Sequence, residues 1–528
     1  MNKPFLFSTS LIALALALRA EEDKLLIPLD LERVVIRGEA RRLPSELGAK
    51  KSDALGSAVE APRRLSEADE ESEEIKVNNT LRLEGGGDNY RDAFESLLLQ
   101  RRRSSLGLVL HGNRDDGYRQ GYDSEHNYVQ TEWSQRTGRH MHMRTRYSYS
   151  RRDFELPDAE NMVYAGAERD ERIHDLHLQL ESPWTQQKQF RFFVDHTHAG
   201  QVNSQAENYR YRLYRVGAIY DAYPWESALS LDTEDKGSED TSLMRLFVKR
   251  SHNILDEKTT LHLGVGAYVL SSRESRVDNS GYFSLVNEEK DRGMTFSPYV
   301  QLDHQLSKKL VFTTAYTQFY ESLPFVETFY NQPEHLRPSN LPIQPTFNVQ
   351  IESGLRWDLN EQWKSSVSYA WHKYQDRPIT VMDLPSGKLT KELWTKGEEQ
   401  NWQAHLLGNF DELWDVDFSV LRRYSEWENF NLDFTPYKPK WEFGLRGDRH
   451  FGKWKTGLEF QLQVDRQSYP VVVDLGDRPL WNAEVEWNPW TAIFLNARCE
   501  NIFDNRSYIN IGYPDSPLRA FLGLRVKF

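Results

Sequence analysis

Apolar and polar side chains alternate with a period of two through most of the chain after Thr80. In Trp454–Val464 the even positions carry Trp, Thr, Leu, Phe, Leu and Val, while the odd positions carry Lys, Gly, Glu and Gln. Such a period places neighbouring side chains on opposite faces of a β-strand. The pattern recurs in segments 351–359, 414–420, 441–446 and 481–487. The sequence therefore predicts an all-β fold whose strands have one apolar and one polar face.

Three features favour a transmembrane barrel over a soluble sandwich. The strands are about ten residues long or longer, whereas globular strands average about five or six. Their apolar faces begin or end with Trp, as at Trp441, Trp454 and Trp487, which is typical of a bilayer boundary. Their opposite faces carry too many charges and amides for a shared soluble core. A closed antiparallel barrel also leaves no unpaired strand edge in hydrocarbon.

The strand-like segments number about 22, at about 20 residues for each strand with its connection. Their predicted starts lie near residues 80, 91, 104, 122, 139, 171, 188, 207, 226, 241, 259, 293, 309, 348, 363, 400, 413, 438, 453, 480, 490 and 518. The longest insertions are predicted to be extracellular loops, at residues 153–170, 273–293, 324–347 and 382–400. The barrel is expected to span residues 80–528.

Composition excludes several other classes. Cys499 is the single cysteine, so neither an intramolecular disulfide nor a cysteine-based zinc cage can form. The formal net charge of −13 argues against a nucleic-acid-binding protein. Beyond the N-terminus there is no apolar run long enough for a membrane-spanning helix. No cofactor is predicted.

The N-terminal region divides into two parts. Residues 1–20 have a basic start and an apolar stretch, which predicts a secretory signal peptide, with a membrane anchor as the alternative. Residues 21–79 are polar and end in the acidic run 67–74, so a flexible periplasmic segment is expected. The island 31–38 is β-prone: it either adds as a strand to a partner or is an incidental apolar patch in a linker.

Two regions and the island resemble the TonB-dependent outer-membrane receptor family. The first region is the C-terminal block that contains Asn501, Phe503, Asp504, Tyr508, Gly512, Tyr513, Pro514 and the terminal Phe528. The second comprises residues 323–330, 336–338 and 352–355. In the island, Val34, Val35 and Ile36 are similar to the short segment with which such receptors pair with the energy-coupling protein TonB. The final apolar row ending in Phe528 resembles the signal read by the outer-membrane barrel assembly machinery.

The resemblance covers the barrel and the island but not the family's plug. Receptors of this family carry a globular plug domain between these two parts, whereas here only the acidic residues 43–79 separate them. The chain is therefore expected to be plugless. A barrel of about 22 strands without a plug encloses a wide aqueous lumen. Inward-folded loops, the N-terminal segment or a separate plug or periplasmic partner is expected to obstruct it.

Histidine pairs raise the question of metal binding and catalysis. His140 with His142, and His196 with His198, have the spacing that places two rings on one face of a strand. No third ligand is placed by the sequence, so solvated lining of the lumen is favoured over a metal site. Acidic and histidine neighbours such as Asp195 and His196 point to opposite faces. No catalytic site is predicted, and the protein is expected not to be an enzyme.

Two functional hypotheses follow for an outer-membrane location. In the favoured one, the barrel takes part in uptake or passage of a solute, as the family resemblance implies. In the alternative, it is a non-transporting scaffold or anchor for a periplasmic or surface partner. Arginine groups at 101–103, 151–152 and 422–423 are expected either at strand ends, where they meet lipid phosphates or lipopolysaccharide, or in solvated turns.

Overall fold

The computed structural model describes residues 75–528 with short gaps. The gaps fall at residues 88, 102, 118–122, 138–140, 156–167, 186–187, 204–207, 236–238, 255–257, 278–284, 322–345, 361, 384–387, 411–412, 429–433, 435–437, 468–473 and 511–512. The predicted signal peptide and the acidic segment up to residue 74 lie outside the described residues. Within these described ranges, no helix is long and apolar enough to cross a bilayer.

The secondary structure of the described residues is formed by β-strands. Their bounds are β1 Lys76–Gly86, β2 Arg91–Arg101, β3 Ser104–Asp115, β4 Ser124–Thr137, β5 Met141–Glu155, β6 Glu168–Thr185, β7 Lys188–Asn203, β8 Asn208–Ala222, β9 Trp225–Asp235, β10 Glu239–Ile254, β11 Thr259–Val277, β12 Leu285–Ser307, β13 Leu310–Glu321, β14 Thr346–Asp358, β15 Trp363–Asp383, β16 Lys388–Phe410, β17 Trp414–Trp427, β18 Trp441–Phe451, β19 Trp454–Val464, β20 Arg478–Trp490, β21 Ile493–Glu500, β22 Tyr508–Asn510, β23 Tyr513–Pro514 and β24 Arg519–Lys527.

All strands except β22 and β23 form one closed antiparallel sheet of 22 strands. Each strand pairs with its neighbours in sequence, and β24 closes the sheet by pairing with β1, from Thr80 opposite Lys527 to Gly86 opposite Phe521. At the end of this ladder Phe528 and Asn79 exchange backbone hydrogen bonds of 2.8 and 3.3 Å. The short strands β22 and β23 pair only with each other. The predicted barrel and its strand number are confirmed.

The two ends of the barrel differ in their connections. At one end, here called the short-turn end, two-residue turns such as 223–224, 308–309 and 452–453 join successive strands. Residue 75 and Phe528 also lie at this end, because β1 leaves it and β24 returns to it. Connections at the opposite, long-loop end include residues 322–345 and 501–518. In outer-membrane barrels short turns face the periplasm and long loops face the exterior.

The outer surface is an apolar band with aromatic borders. Exposed tryptophans lie on the outer face at the short-turn end, among them Trp225 (47% exposed) on β9, Trp357 (47%) on β14, Trp414 (42%) on β17 and Trp454 (41%) on β19. On β18, Trp441 marks the other border and Phe451 the short-turn border. Ten residues of strand span about 34 Å, or about 25 Å at the usual tilt, which matches the apolar band of such barrels. The band therefore has the height of a bilayer core.

Two predicted strand starts differ substantially from the structure. β12 begins at Leu285 rather than near residue 293, and β16 begins at Lys388 rather than near residue 400; the other starts agree within four residues. The loops predicted at 273–293 and 382–400 are therefore wrong, because β11–β12 and β15–β16 continue as paired hairpins. Beyond the bilayer both strand faces meet water, so ladder pairing continues without the apolar alternation that reveals a strand in sequence.

Candidate functional site: the barrel lumen

The inner face of the barrel is polar and packed, whereas the outer face is apolar and exposed. Strand β9 shows the contrast. Its inward residues Ser230, Asp232 and Glu234 are 1%, 1% and 3% exposed, while its outward residues Leu229 and Leu231 are 48% and 49% exposed. This is the reverse of a soluble protein, in which the apolar face is buried. The arrangement fits lipid outside and a polar lumen inside.

An ion cluster lies on the lumen wall formed by β8, β9 and β10. Asp232 accepts two hydrogen bonds of 3.1 Å from Arg215 and one of 2.7 Å from Nη1 of Arg245. The side chains of Asp232, Arg215 and Arg245 are only 1%, 12% and 6% exposed. Buried ions need such pairing because desolvation of an unpaired charge is costly. The cluster therefore fixes the positions of three strands on the wall.

An apolar cluster interrupts the polar lumen wall beside these ions. Phe193, Ile219, Ala228 and Phe247 pack together at 1–8% exposure, with Tyr299 against them. The ring of Phe193 lies over Gly217, where a Cβ atom would stand 2.3 Å from its Cζ atom. Only glycine leaves room for this ring to lie against the wall. The lumen thus has an apolar, aromatic patch among polar surroundings.

A chain of buried polar side chains crosses β2 to β5 towards the long-loop end. His111 Nε2 lies 2.5 Å from Asp92 Oδ2, and Arg82 donates to the other carboxylate oxygen at 3.1 Å. The His126 ring lies 5.8 Å from that of His111 and contacts Ser150 Oγ through Nε2 at 2.9 Å. Hydrogen bonds to Asp92 orient the first imidazole. The residues form a rigid polar strip on the inner wall.

A serine, a histidine and an aspartate also line up near the short-turn end. Ser251 Oγ lies 2.8 Å from His262 Nδ1, and His262 Nε2 lies 3.0 Å from Asp303 Oδ2. Three strands contribute these residues, so their sequence spacing did not reveal them. A hydrolase also needs donors for an oxyanion. The strand amides here are engaged in the ladder, and the Gln301 amide already donates to Asp303 at 3.0 and 2.8 Å. The geometry supports a structural hydrogen-bond chain across β10, β11 and β12.

The described histidines of the two pairs lie on different faces of the barrel wall. His142 points into the lumen, because it shares the inward face of β5 with Arg144. His196 and His198 lie on the outer face instead: His196 stacks on the exposed Tyr214 at 4.5 Å. The interpretation of these two as lumen lining is therefore wrong, since the register of β6 and β7 places them opposite the outward residues Leu176 and His174. His140 lies outside the described residues.

No three His, Cys, Asp or Glu side chains of the described strands are grouped to hold a metal ion. His142 cannot act together with His196 and His198 across the barrel wall, because it faces the lumen and they face lipid. The metal hypothesis therefore gains no geometric support from the described residues.

The C-terminal sequence motif forms a loop at the long-loop end that is held by hydrogen bonds. Asn501 is 4% exposed, and its amide donates to the carbonyls of Asn505 at 2.9 Å and Ser516 at 2.8 Å. Asp504 accepts from the Leu518 amide at 3.0 Å. The hydrogen bond from Arg506, and to a lesser extent the one from the Leu518 amide, lowers the pKa of Asp504. These contacts give the motif a structural role in orienting the last strand.

The remaining motif residues extend the same loop. Tyr508 pairs with Pro514, and Tyr513 belongs to the same hairpin, whereas Gly512 lies outside the described residues. Phe503 is 72% exposed and meets the Trp481 ring edge-on at 6.0 Å. The island with Val34, Val35 and Ile36 lies outside the described residues, so its predicted role stays a prediction.

The paired arginines at 422–423 separate onto the two faces of β17. Arg422 lies over the Trp441 ring at 5.1 Å on the outer face. Arg423 points inward and donates to Glu442 at 2.9 Å. Only the first is placed to meet lipid, because neighbouring residues of a strand face opposite sides. The predicted contact with lipid phosphates or lipopolysaccharide stays a prediction for Arg422.

Solved structures with the same fold are outer-membrane transporters and receptors. The copper transporter OprC matches with a TM-score of 0.67 and 10% identity, over 86% of this chain and 81% of its own. The closed form of the ferric-catecholate import receptor Fiu from E. coli K12 gives 0.66 and 11%, over 86% and 82%. The unliganded ferric citrate transporter FecA gives 0.67 and 13%, over 86% and 79%.

These likenesses and the apolar band define the class of protein: a 22-stranded transmembrane β-barrel of the outer membrane. Within that class, the chain has the barrel fold of the TonB-dependent outer-membrane receptors. The resemblance drawn from the C-terminal block is confirmed at the level of the fold. Neither a protein-family model nor a curated protein matches the sequence.

Proposed function

We propose that the barrel takes part in uptake or passage of a solute across the outer membrane. The closed sheet with an apolar exterior and a charged interior is the observation that carries this proposal. A lumen lined by ion clusters and polar strips presents charged and polar groups towards the interior, whereas an anchor requires only the outer face. Inward-folded loops, the N-terminal segment or a separate partner would obstruct the lumen between transport events.

The solute class to test first comes from the structural neighbours. Their names specify copper, a ferric catecholate and ferric citrate as the transported species. For this chain we therefore propose a metal ion or a metal chelate. The test is accumulation of radioactive iron or copper by cells that carry the barrel, compared with cells that lack it. Equal accumulation of every metal and chelate tried would contradict this solute class.

Removal of residues 21–74 is expected to increase ion conductance through the barrel. The first strand begins at Lys76, so this deletion leaves the ladder of β1 intact. The full chain and the deletion variant are compared in planar bilayers. Larger or more frequent conductance steps in the variant indicate that the N-terminal segment obstructs the lumen. If both chains remain silent, the N-terminal segment is not what obstructs the lumen, and the result counts towards the scaffold hypothesis.

Val35→Pro is expected to abolish energy-dependent uptake if the island pairs with a TonB-type protein. Proline removes the backbone N–H that a strand donates to its partner. Uptake at a solute concentration below saturation is the measurement, with Ala40→Pro outside the island as the matched control. Energised uptake that is unchanged by Val35→Pro would reject this role for the island.

A further inference from the structure

The charges around the short-turn mouth of the lumen are unevenly distributed. We consider the two inward positions of each strand that lie closest to this mouth. From β24 through β1 to β7, these positions carry one carboxylate, Glu181, and six cations. The six define the basic arc: Lys76, Arg136, Arg144, Arg191, Arg525 and Lys527.

The rest of the mouth has the opposite balance. Across β8 to β21 the corresponding positions carry three cations, Arg356, Lys364 and Lys455. The same positions carry eight carboxylates: Asp221, Glu226, Asp303, Asp358, Asp415, Asp417, Asp448 and Glu486. The mouth is therefore polarised, and its positive side includes β1, the first strand of the barrel.

An acidic segment of the same chain precedes β1, which belongs to this positive side. The run 67–74 holds six carboxylates and no cation, and it ends one residue before Ile75. Eight extended residues reach about 27 Å. Strands lie about 4.8 Å apart, so five strand spacings amount to about 24 Å. The strand β24 is one spacing from β1, and β5 is four spacings from it on the other side, so the run is long enough to reach both. The strands from β24 to β5 carry five of the six cations.

Two guanidinium groups of the arc, those of Arg144 and Arg525, have more donors than their ion pairs use. Arg144 pairs with Glu132 at 2.8 Å, and Arg525 pairs with Glu486 at 2.7 Å. An arginine has five N–H donors, and one carboxylate uses at most two of them. Their side chains are each 34% exposed, and Lys527 is exposed. Arg144, Arg525 and Lys527 can therefore bind further carboxylates without losing existing pairs.

We propose that the acidic run 67–74 docks on the basic arc of its own chain, at the short-turn mouth of the lumen. The interaction draws on opposite charges that are held close by the covalent connection through Ile75, which gives a high effective concentration. Docking would keep the tail that carries the island 31–38 beside the mouth. The inference goes beyond solute passage and does not depend on it.

Disulfide trapping in the full chain, in lipid vesicles, tests the docking. Cys499→Ser removes the native thiol, and Ser72→Cys with Ser134→Cys places one thiol in the run and one on the inward face of β4, beside Arg136. Ser72→Cys with Ser366→Cys is the control across the mouth. We expect the first pair to cross-link at least about five times faster at about 0.01 M salt than at about 1 M salt, where the Debye length falls from about 30 to 3 Å. Equal rates at both salt concentrations would overturn the proposal.

A charge variant separates docking from mere tethering. In this variant Glu70, Glu71, Glu73 and Glu74 are changed to Gln. These residues precede the first strand, so the ladder is untouched. Cross-linking between the thiols at positions 72 and 134 is expected to slow to its high-salt rate. The matched control changes Glu21, Glu22, Glu39 and Glu46 to Gln and should leave the rate unaltered. An unchanged rate in the first variant means that the chain is tethered but not docked, which contradicts the proposal. Solute uptake is not measured here, so failure of docking leaves the proposed function standing.

Discussion

Asp232→Ala is expected to lower the free energy of unfolding of the barrel by about 3–5 kcal/mol, because it removes the shared carboxylate from a buried ion cluster. Asp232 is 1% exposed and is the shared acceptor of Arg215 and Arg245. Without it, the guanidinium groups on β8 and β10, the two strands that flank β9, face each other with little water to screen them. Denaturant unfolding in lipid vesicles, followed by tryptophan fluorescence, measures the change.

Asp235→Ala is the matched control for this substitution. Asp235 lies on the same strand and pairs with Arg212 at 3.9 Å, but their side chains are 43% and 46% exposed. Exposed ion pairs contribute at most about 1 kcal/mol, so the expected loss is small. If both substitutions destabilise the barrel equally, the cluster around Asp232 is hydrated and does not hold β8, β9 and β10 together.

Leu458→Arg is expected to destabilise the barrel in a bilayer by about 2–4 kcal/mol, the cost of arginine near the midplane on the lipid face of a barrel. Leu458 is 49% exposed and lies on the outer face of β19, four residues above the border residue Trp454. Its exposure in the isolated chain marks contact with lipid tails rather than with water. Unfolding in vesicles of fixed lipid composition provides the measurement.

The same residue introduced on the inner face provides the control. Gln461 points into the lumen and donates to Glu459 at 2.6 Å. Gln461→Arg places the guanidinium in water beside that carboxylate, so stability should change by no more than about 0.5 kcal/mol. A larger loss from Gln461→Arg than from Leu458→Arg would reverse the assignment of lipid and lumen faces.

The sequence predicted the strands of the bilayer region well, because lipid outside and water inside impose a period of two on each of them. Trp441 and Trp454 begin β18 and β19 for the same reason, since indole rings favour the interface, and Trp487 lies opposite Trp454. The prediction was wrong for the parts of β11–β12 and β15–β16 at the long-loop end. There, main-chain pairing continues in water and leaves no apolar row in the sequence.

The lumen clusters could not be predicted from sequence. Asp232, Arg215 and Arg245 come from three strands, and the chain Ser251, His262 and Asp303 likewise spans three strands. Each contact depends on the register between neighbours, which a shift of one residue would move to the opposite face. The outward position of His196 was missed for the same reason.

The sequence by itself determined that one face of each strand contacts lipid and the other contacts water, because the two-residue period is a property of each strand alone. It also determined the acidic charge of the run that precedes β1. Only the tertiary structure decided which lumen residues meet and that the cations of β24, β1, β4, β5 and β7 form one arc. Closure between Gly86 and Phe521 joins the first and last strands, which are farthest apart along the chain, and no local pattern encodes that neighbourhood.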